Sequence, residues 1–157
     1  MLFEKAFGII LDWEGGYVND PGDPGGETKF GISKRSYPNV KINELTREDA
    51  ADIYKRDFWD ACKCDEFPPP VAILLFDAAI QHGQETAIKM LQNVVNVSAD
   101  GIVGRKTILT VNGKSPAYIA RELSLSRMML YTSNKNWSLY GKGWTRRLLD
   151  IYNKAFA

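Results

Sequence analysis

Glu14 closes an apolar run and opens a loop crowded with polar groups: Gly15-Gly16-Tyr17, then Asp20-Pro21-Gly22, Asp23-Pro24-Gly25-Gly26 and Thr28. An ionised carboxylate facing a core is costly unless it is paired or takes up a proton. A carboxylic acid that keeps its proton near neutrality is what a glycosidase uses to protonate a leaving oxygen. A second polar group must then activate water or stabilise the oxocarbenium-like centre. Asp20, Asp23 and Thr28 all follow within a few residues, and the glycines let the loop fold back toward Glu14. The bland alternative is a glutamate at a frayed helix end, turned into solvent, which Gly15-Gly16 makes easy.

The elements that must position these groups are mostly helical. Phe3, Phe7, Ile10 and Glu14 are spaced by four, three and four residues, one stripe at 100° per residue. Residues 17–43 carry turn punctuation throughout, which predicts turns and a short two-stranded hairpin, with Lys29–Ser33 and Val40–Ile42 as strands. Thr46 with Asp49 starts a second helix, whose apolar face is Ala50, Ile53, Tyr54, Phe58 and Ala61. Phe58 and Trp59 are adjacent, so both cannot face the core squarely. After Pro68-Pro69-Pro70, the run Val71–Gly83 is apolar on nearly all sides and reads as a buried central helix. Asp77 within it must be hydrogen-bonded or line the site. His82, just before Gly83, reads as a helix C-terminal residue favoured by the dipole, with a catalytic base as the alternative. Further helices follow at Gln84–Val95, Arg105–Val111 and from Ser115-Pro116 to Thr132, with a last one near Gly143.

The bulk numbers exclude several classes. The 157 residues make one compact unit, with 45% hydrophobic and 25% charged residues. A net charge of +1 argues against nucleic acid as a partner. No run is long and apolar enough to span a bilayer, and Met1–Gly16 does not read as a signal peptide. The expectation is a cytoplasmic chain that meets the cell wall only on release, through a holin or dedicated exporter. Cys62 and Cys64 with one histidine are too few for a closed zinc site; no metal and no cofactor are expected, and the thiols read as free.

The run Glu14-Gly15-Gly16-Tyr17, Asn19-Asp20-Pro21, Asp23-Pro24-Gly25-Gly26 and Thr28-Lys29-Phe30-Gly31-Ile32 resembles the glycoside hydrolase family 108 muramidases, which are phage endolysins and bacterial proteins of the secretion-activator type. The resemblance continues in order through Phe76-Asp77-Ala78-Ala79, Gly83, Ala87 and Leu91-Gln92. Asp100-Gly101, Gly104 and Thr107 are similar to the family's C-terminal predicted peptidoglycan-binding region, and Arg127, Tyr131, Gly143-Trp144 and Arg147 to its closing helices. It implies a mainly α, lysozyme-like fold with a small β-hairpin in the N-terminal lobe. Residues 1–95 would form the catalytic region and residues 96–157 a C-terminal helical region packed into the same unit. It puts the catalytic acid on Glu14.

Phage-type lysozymes extend the comparison, with Asp and Thr on a hairpin after the helix-end Glu. Eight residues separate Glu14 from Asp23, as there, and four separate Asp23 from Thr28, one fewer than there. The resemblance thus implies Asp23 and Thr28 as the catalytic partners, with Asp20 competing for the carboxylate role. Tyr17 and Asp20 are candidates to line the sugar cleft. Gln81 stands where the family usually has Asn and is a substrate-contact candidate with a longer reach. The activity implied is cleavage of the β-1,4 bond between N-acetylmuramic acid and N-acetylglucosamine in peptidoglycan glycan strands, by a monomer. A lytic transglycosylase, or a wall-binding or secretion-helper module without turnover, are the alternatives. Trp137, Tyr140 and Trp144 with Lys135, Lys142, Arg146 and Arg147 read either as a wall-contacting stretch or as a helix pair with a charged outer face.

Overall fold

The computed structural model describes all 157 residues. It is mainly α, with seven helices and one small antiparallel sheet, in the lysozyme-like arrangement expected. Helix α1 (Leu2–Leu11) buries Phe3, Ala6, Phe7, Ile9 and Ile10. It ends three residues before Glu14, but the chain keeps turning: the amides of Trp13 and Glu14 both donate to the Ile10 carbonyl, at 2.9 and 3.2 Å. Glu14 therefore stays on the inward side although it lies outside the helix.

The sheet has three strands, not two: β1 (Val18–Asn19), β2 (Glu27–Lys29) and β3 (Ile32–Ser33), in that order. The predicted strand Lys29–Ser33 is broken by a reversal at Phe30 and Gly31, whose φ values of 52° and 76° make the two-residue hairpin turn that suits twisted strands. Val40–Ile42 is not a strand; a 3₁₀ turn runs over Ile42–Glu44, and Ile42 is buried there. A lone apolar pair in a loop carries the same alternation whether it pairs with a strand or plugs a core, so the pattern could not separate the two.

Helix α2 (Arg47–Tyr54) starts on the expected capping box, with Thr46 and Asp49 satisfying each other's backbone amides. It runs into a wider π turn at Lys55–Asp60. That turn divides Phe58 from Trp59. Trp59 is fully buried and meets Phe76 edge-on at 5.3 Å, while Phe58 lines a small hollow beside Gly31 and Tyr54.

The central helix α3 (Pro69–His82) buries every residue from Val71 to Ala79, and α4 (Gln84–Val94) follows directly. Helices α5 (Arg105–Asn112), α6 (Pro116–Ser133) and α7 (Trp137–Phe156) complete the chain, α7 starting six residues earlier than Gly143. One continuous core takes side chains from α1 through α7. Asp100, Gly101 and Thr107 converge on the buried Gln92 side chain: its carbonyl accepts from the Gly101 amide at 3.0 Å and its amide donates to Asp100 and Thr107. These motif residues hold the loop between α4 and α5 in place. Cys62 and Cys64 are free and buried.

Candidate active site

Glu14 sits at the meeting point of the N-terminal lobe and the last helix. Its side chain is 18% exposed, and Oε1 accepts from Arg147 Nη1 at 2.9 Å. The other oxygen, Oε2, faces the hairpin turn: a Cβ built on Gly31 would lie 2.5 Å from it. That approach, together with the positive φ, explains why the turn carries glycine there. Tyr54 secures the turn from below, its hydroxyl donating to the Phe30 carbonyl at 2.8 Å. Burial, and then the Glu14 carboxylate nearby, push the Tyr54 phenol up, so it remains a donor.

Arg147 is held in turn by Asp77. Nε and Nη2 both donate to Asp77 Oδ1, at 3.0 and 2.7 Å, while Arg127 Nη2 reaches Asp77 Oδ2 at 2.7 Å. Asp77 and Arg127 are fully buried. Burial alone would raise the Asp77 pKa, but Arg127 and Arg147 outweigh it and hold the carboxyl below the usual carboxylate range. Two guanidiniums thus face two carboxylates, and the helices α3, α6 and α7 are locked behind Glu14. Asp77 is the hydrogen-bonded core residue its apolar neighbours required. Arg147, grouped by sequence with an outward-facing basic stretch, is only 7% exposed. No periodicity reveals this, because its partners lie 133 and 70 residues away.

The network continues to the C-terminal end of α3. The Tyr131 hydroxyl takes a hydrogen bond from Arg127 at 3.0 Å and donates to Gln81 Oε1. His82 Nε2 accepts from Arg127 Nε at 3.3 Å. Burial and the Arg127 charge bring the His82 pKa down to about 4, which leaves the ring neutral and engaged. Gln81, His82, Thr86, Tyr131, Asn134 and Trp144 border a hollow of about 300 Å³.

The other sequence candidates lie on the loop and sheet. Asp20 and Asp23 are exposed, and each turns one carboxylate oxygen onto its own loop, accepting from the Gly22 amide at 2.9 Å and the Gly25 amide at 2.8 Å. Neither is hydrogen-bonded to Glu14. The turn of Asp20 follows β1 directly, and the turn of Asp23 is held from beyond β3: the Arg35 amide donates to the Gly25 carbonyl at 3.2 Å. Thr28 sits on the middle strand opposite Val18 and Ser33. Directly paired residues share a sheet face, so Thr28 lies on the face of Ser33, which borders the 170 Å³ hollow with Gly31, Tyr37, Tyr54 and Phe58. Tyr17 is 46% exposed and donates to Glu27 at 2.7 Å. Ser33, Tyr54 and Glu27 were not singled out for the site from sequence; the pairing of the strands brings Ser33 and Glu27 there, and the packing of α2 under the hairpin turn brings Tyr54.

The aromatic-basic stretch divides over different faces of α7. Trp144 stacks on Tyr131 at 5.3 Å, whereas Trp137, packed on Gly141, borders a separate surface groove together with Lys142 and Arg146.

Comparison with known proteins bears on the same residues. The family model described as Glycosyl hydrolase 108 matches residues 7–83, from α1 to the end of α3. The solved structure of Brucella abortus SagA is 34% identical, with a TM-score of 0.88, over 98% of this chain and 93% of that one. No curated protein matches the chain.

Proposed function

Because the chain belongs to the glycosyl hydrolase 108 family and is a glycoside hydrolase, we propose that it is a muramidase, cutting the β-1,4 bond between N-acetylmuramic acid and N-acetylglucosamine in peptidoglycan with Glu14 as general acid. The observation that carries this reading is the two-sided setting of Glu14. Arg147 occupies Oε1, which leaves Oε2, on the Gly31 side, as the oxygen to carry the proton. When that proton passes to the leaving oxygen, the carboxylate that forms already has its cation in place at 2.9 Å. An interaction that strengthens as charge develops lowers the barrier rather than merely binding substrate.

Asp23 is the preferred second carboxylate over Asp20, because its turn is held from the hairpin side, where the Arg35 amide, two residues past β3, donates to the Gly25 carbonyl. Thr28, on the Ser33 face of β2, would position water or steady the cation with it. Tyr17, Asp20 and Gln81 are proposed contacts along the glycan.

A lytic transglycosylase has one observation in its favour: each loop carboxylate gives an oxygen to its own turn and neither is hydrogen-bonded to Glu14, and that chemistry needs only a single glutamate, the sugar's 6-hydroxyl attacking in place of water. Digestion of purified peptidoglycan by the parent chain and Glu14→Gln, with products read by mass spectrometry, separates the readings. The muramidase makes reducing muramic-acid ends, and the mutant loses roughly 10²–10⁴-fold in rate. Anhydro ends would favour the transglycosylase, and no products from a folded parent chain would leave a non-catalytic wall-binding role.

A further inference from the structure

Arg127 has only donors to offer, and that fixes the polarity of the groups beyond it. A guanidinium cannot accept a hydrogen bond. At the 3.0 Å contact with Arg127 Nη2 the Tyr131 oxygen must therefore be the acceptor, and the hydroxyl proton goes elsewhere. It goes to Gln81 Oε1. The opposite amide orientation would set two donors against a hydroxyl whose own proton then had no acceptor. So the carbonyl of Gln81 faces Tyr131, and its two N–H bonds are left for another partner. His82 obeys the same logic: it accepts at Nε2, so its proton sits on Nδ1. No acceptor in the chain is hydrogen-bonded to Gln81 Nε2 or His82 Nδ1.

Both residues border the 300 Å³ hollow, a volume at the small end of the range for a small-molecule site. Its aromatic wall is Trp144, partly buried and stacked on Tyr131 with a 22° angle between the rings. The charge of Arg127 is met by Asp77 at 2.7 Å, so the hollow offers donors without a free cation. Oriented N–H donors beside an aromatic face fit a neutral carbonyl on a ring with an apolar side.

We propose that this hollow binds the acetamido group of an N-acetylhexosamine, with Gln81 Nε2 donating to the carbonyl oxygen and Trp144 packing against the sugar. The hollow adjoins the network that holds Glu14: Gln81 lies four residues beyond Asp77 on α3, and Trp144 three residues before Arg147 on α7. The choice of sugar class rests on the wall-glycan reading; the donor polarity does not.

The test is a calorimetric titration of the Glu14→Gln chain, which is not expected to turn substrate over, with N,N′,N″-triacetylchitotriose and with cellotriose, which has hydroxyls in place of the acetamido groups. The acetylated trimer should bind about tenfold tighter, the scale of one well-placed hydrogen bond. Adding Gln81→Met should bring the two affinities together, and Tyr131→Phe, which removes the proton that orients the amide, should weaken the preference in part. Equal affinities in the starting chain, or a preference that survives Gln81→Met, would overturn the proposal. Binding and cutting are read separately. A preference that Gln81→Met abolishes, without any peptidoglycan products from the parent, upholds the site and sinks the muramidase reading; products without a preference do the reverse.

Discussion

A methyl group at Gly31 would stand 2.5 Å from both Glu14 Oε2 and the Tyr54 hydroxyl, on a backbone with φ of 76°. Two penalties therefore fall on Gly31→Ala: left-handed strain of about 1–2 kcal/mol, and displacement of the carboxyl, the phenol or the hairpin turn. The protein should still fold, since Gly31 is exposed and off the core. Turnover should fall about 100-fold, the scale of a misplacement near 1 Å in a reacting group. Peptidoglycan digestion with circular dichroism as the folding control checks this; a variant with parent-like turnover would show that Oε2 does not need this turn. At the same scale, Glu14 was legible as the candidate acid from the apolar stripe together with the polar loop after it and the family resemblance of that loop. Its cation was not, since Arg147 stands among exposed basic residues and only the packing of α7 turns it inward.

Helix α2 delivers Tyr54 to the hairpin turn, and its first turn is set by the reciprocal bonds of Thr46 and Asp49. Thr46→Ala should cost about 1 kcal/mol of stability, read as a shift in the urea midpoint, with activity at 25 °C nearly unchanged because the cap lies at the opposite end of α2 from Tyr54. A large loss of activity without loss of stability would mean that the start of α2 takes part in the site. The capping box was readable because it is a local pattern within four residues. The third strand was not: Val18–Asn19 is exposed and two residues long, and its existence depends on Glu27–Lys29 arriving beside it. The π turn at Lys55–Asp60 was missed for a related reason. It widens a helix without changing its composition, yet it sends Phe58 to the hollow and Trp59 to the core.

Across the whole molecule, the buried charges make stability depend on pH through a single histidine. His82 is the only one in the chain, and its pKa falls to about 4 on folding. In the unfolded chain it takes up a proton near pH 6.5. Between these values the unfolded state binds more protons, so stability is complete above about pH 6.5 and is lost as pH falls toward 4. The loss should be on the order of 1–2 kcal/mol, after allowance for the exposed part of the ring. Melting temperatures of the parent and His82→Gln at pH 7 and pH 5 check it: the glutamine can still accept from Arg127, so the variant should lose most of the drop. A parent that melts alike at both pH values would contradict the shift. Asp77 adds a second limb only below the usual carboxylate range, since its folded pKa is lowered.

Local pattern alone determined the helical class, the buried central helix, the capping box and the polar loop after Glu14, because each is written in the spacing of neighbouring residues. Resemblance to family motifs added the expectation that Glu14 is the acid. Only the tertiary structure decided which groups surround it. The ion pair to Arg147, the clamp on Asp77, the approach of Gly31 and the donor polarity of Gln81 all join residues far apart in the chain. Their energetics depend on burial and on hydrogen-bond direction, and neither quantity exists until the helices have packed.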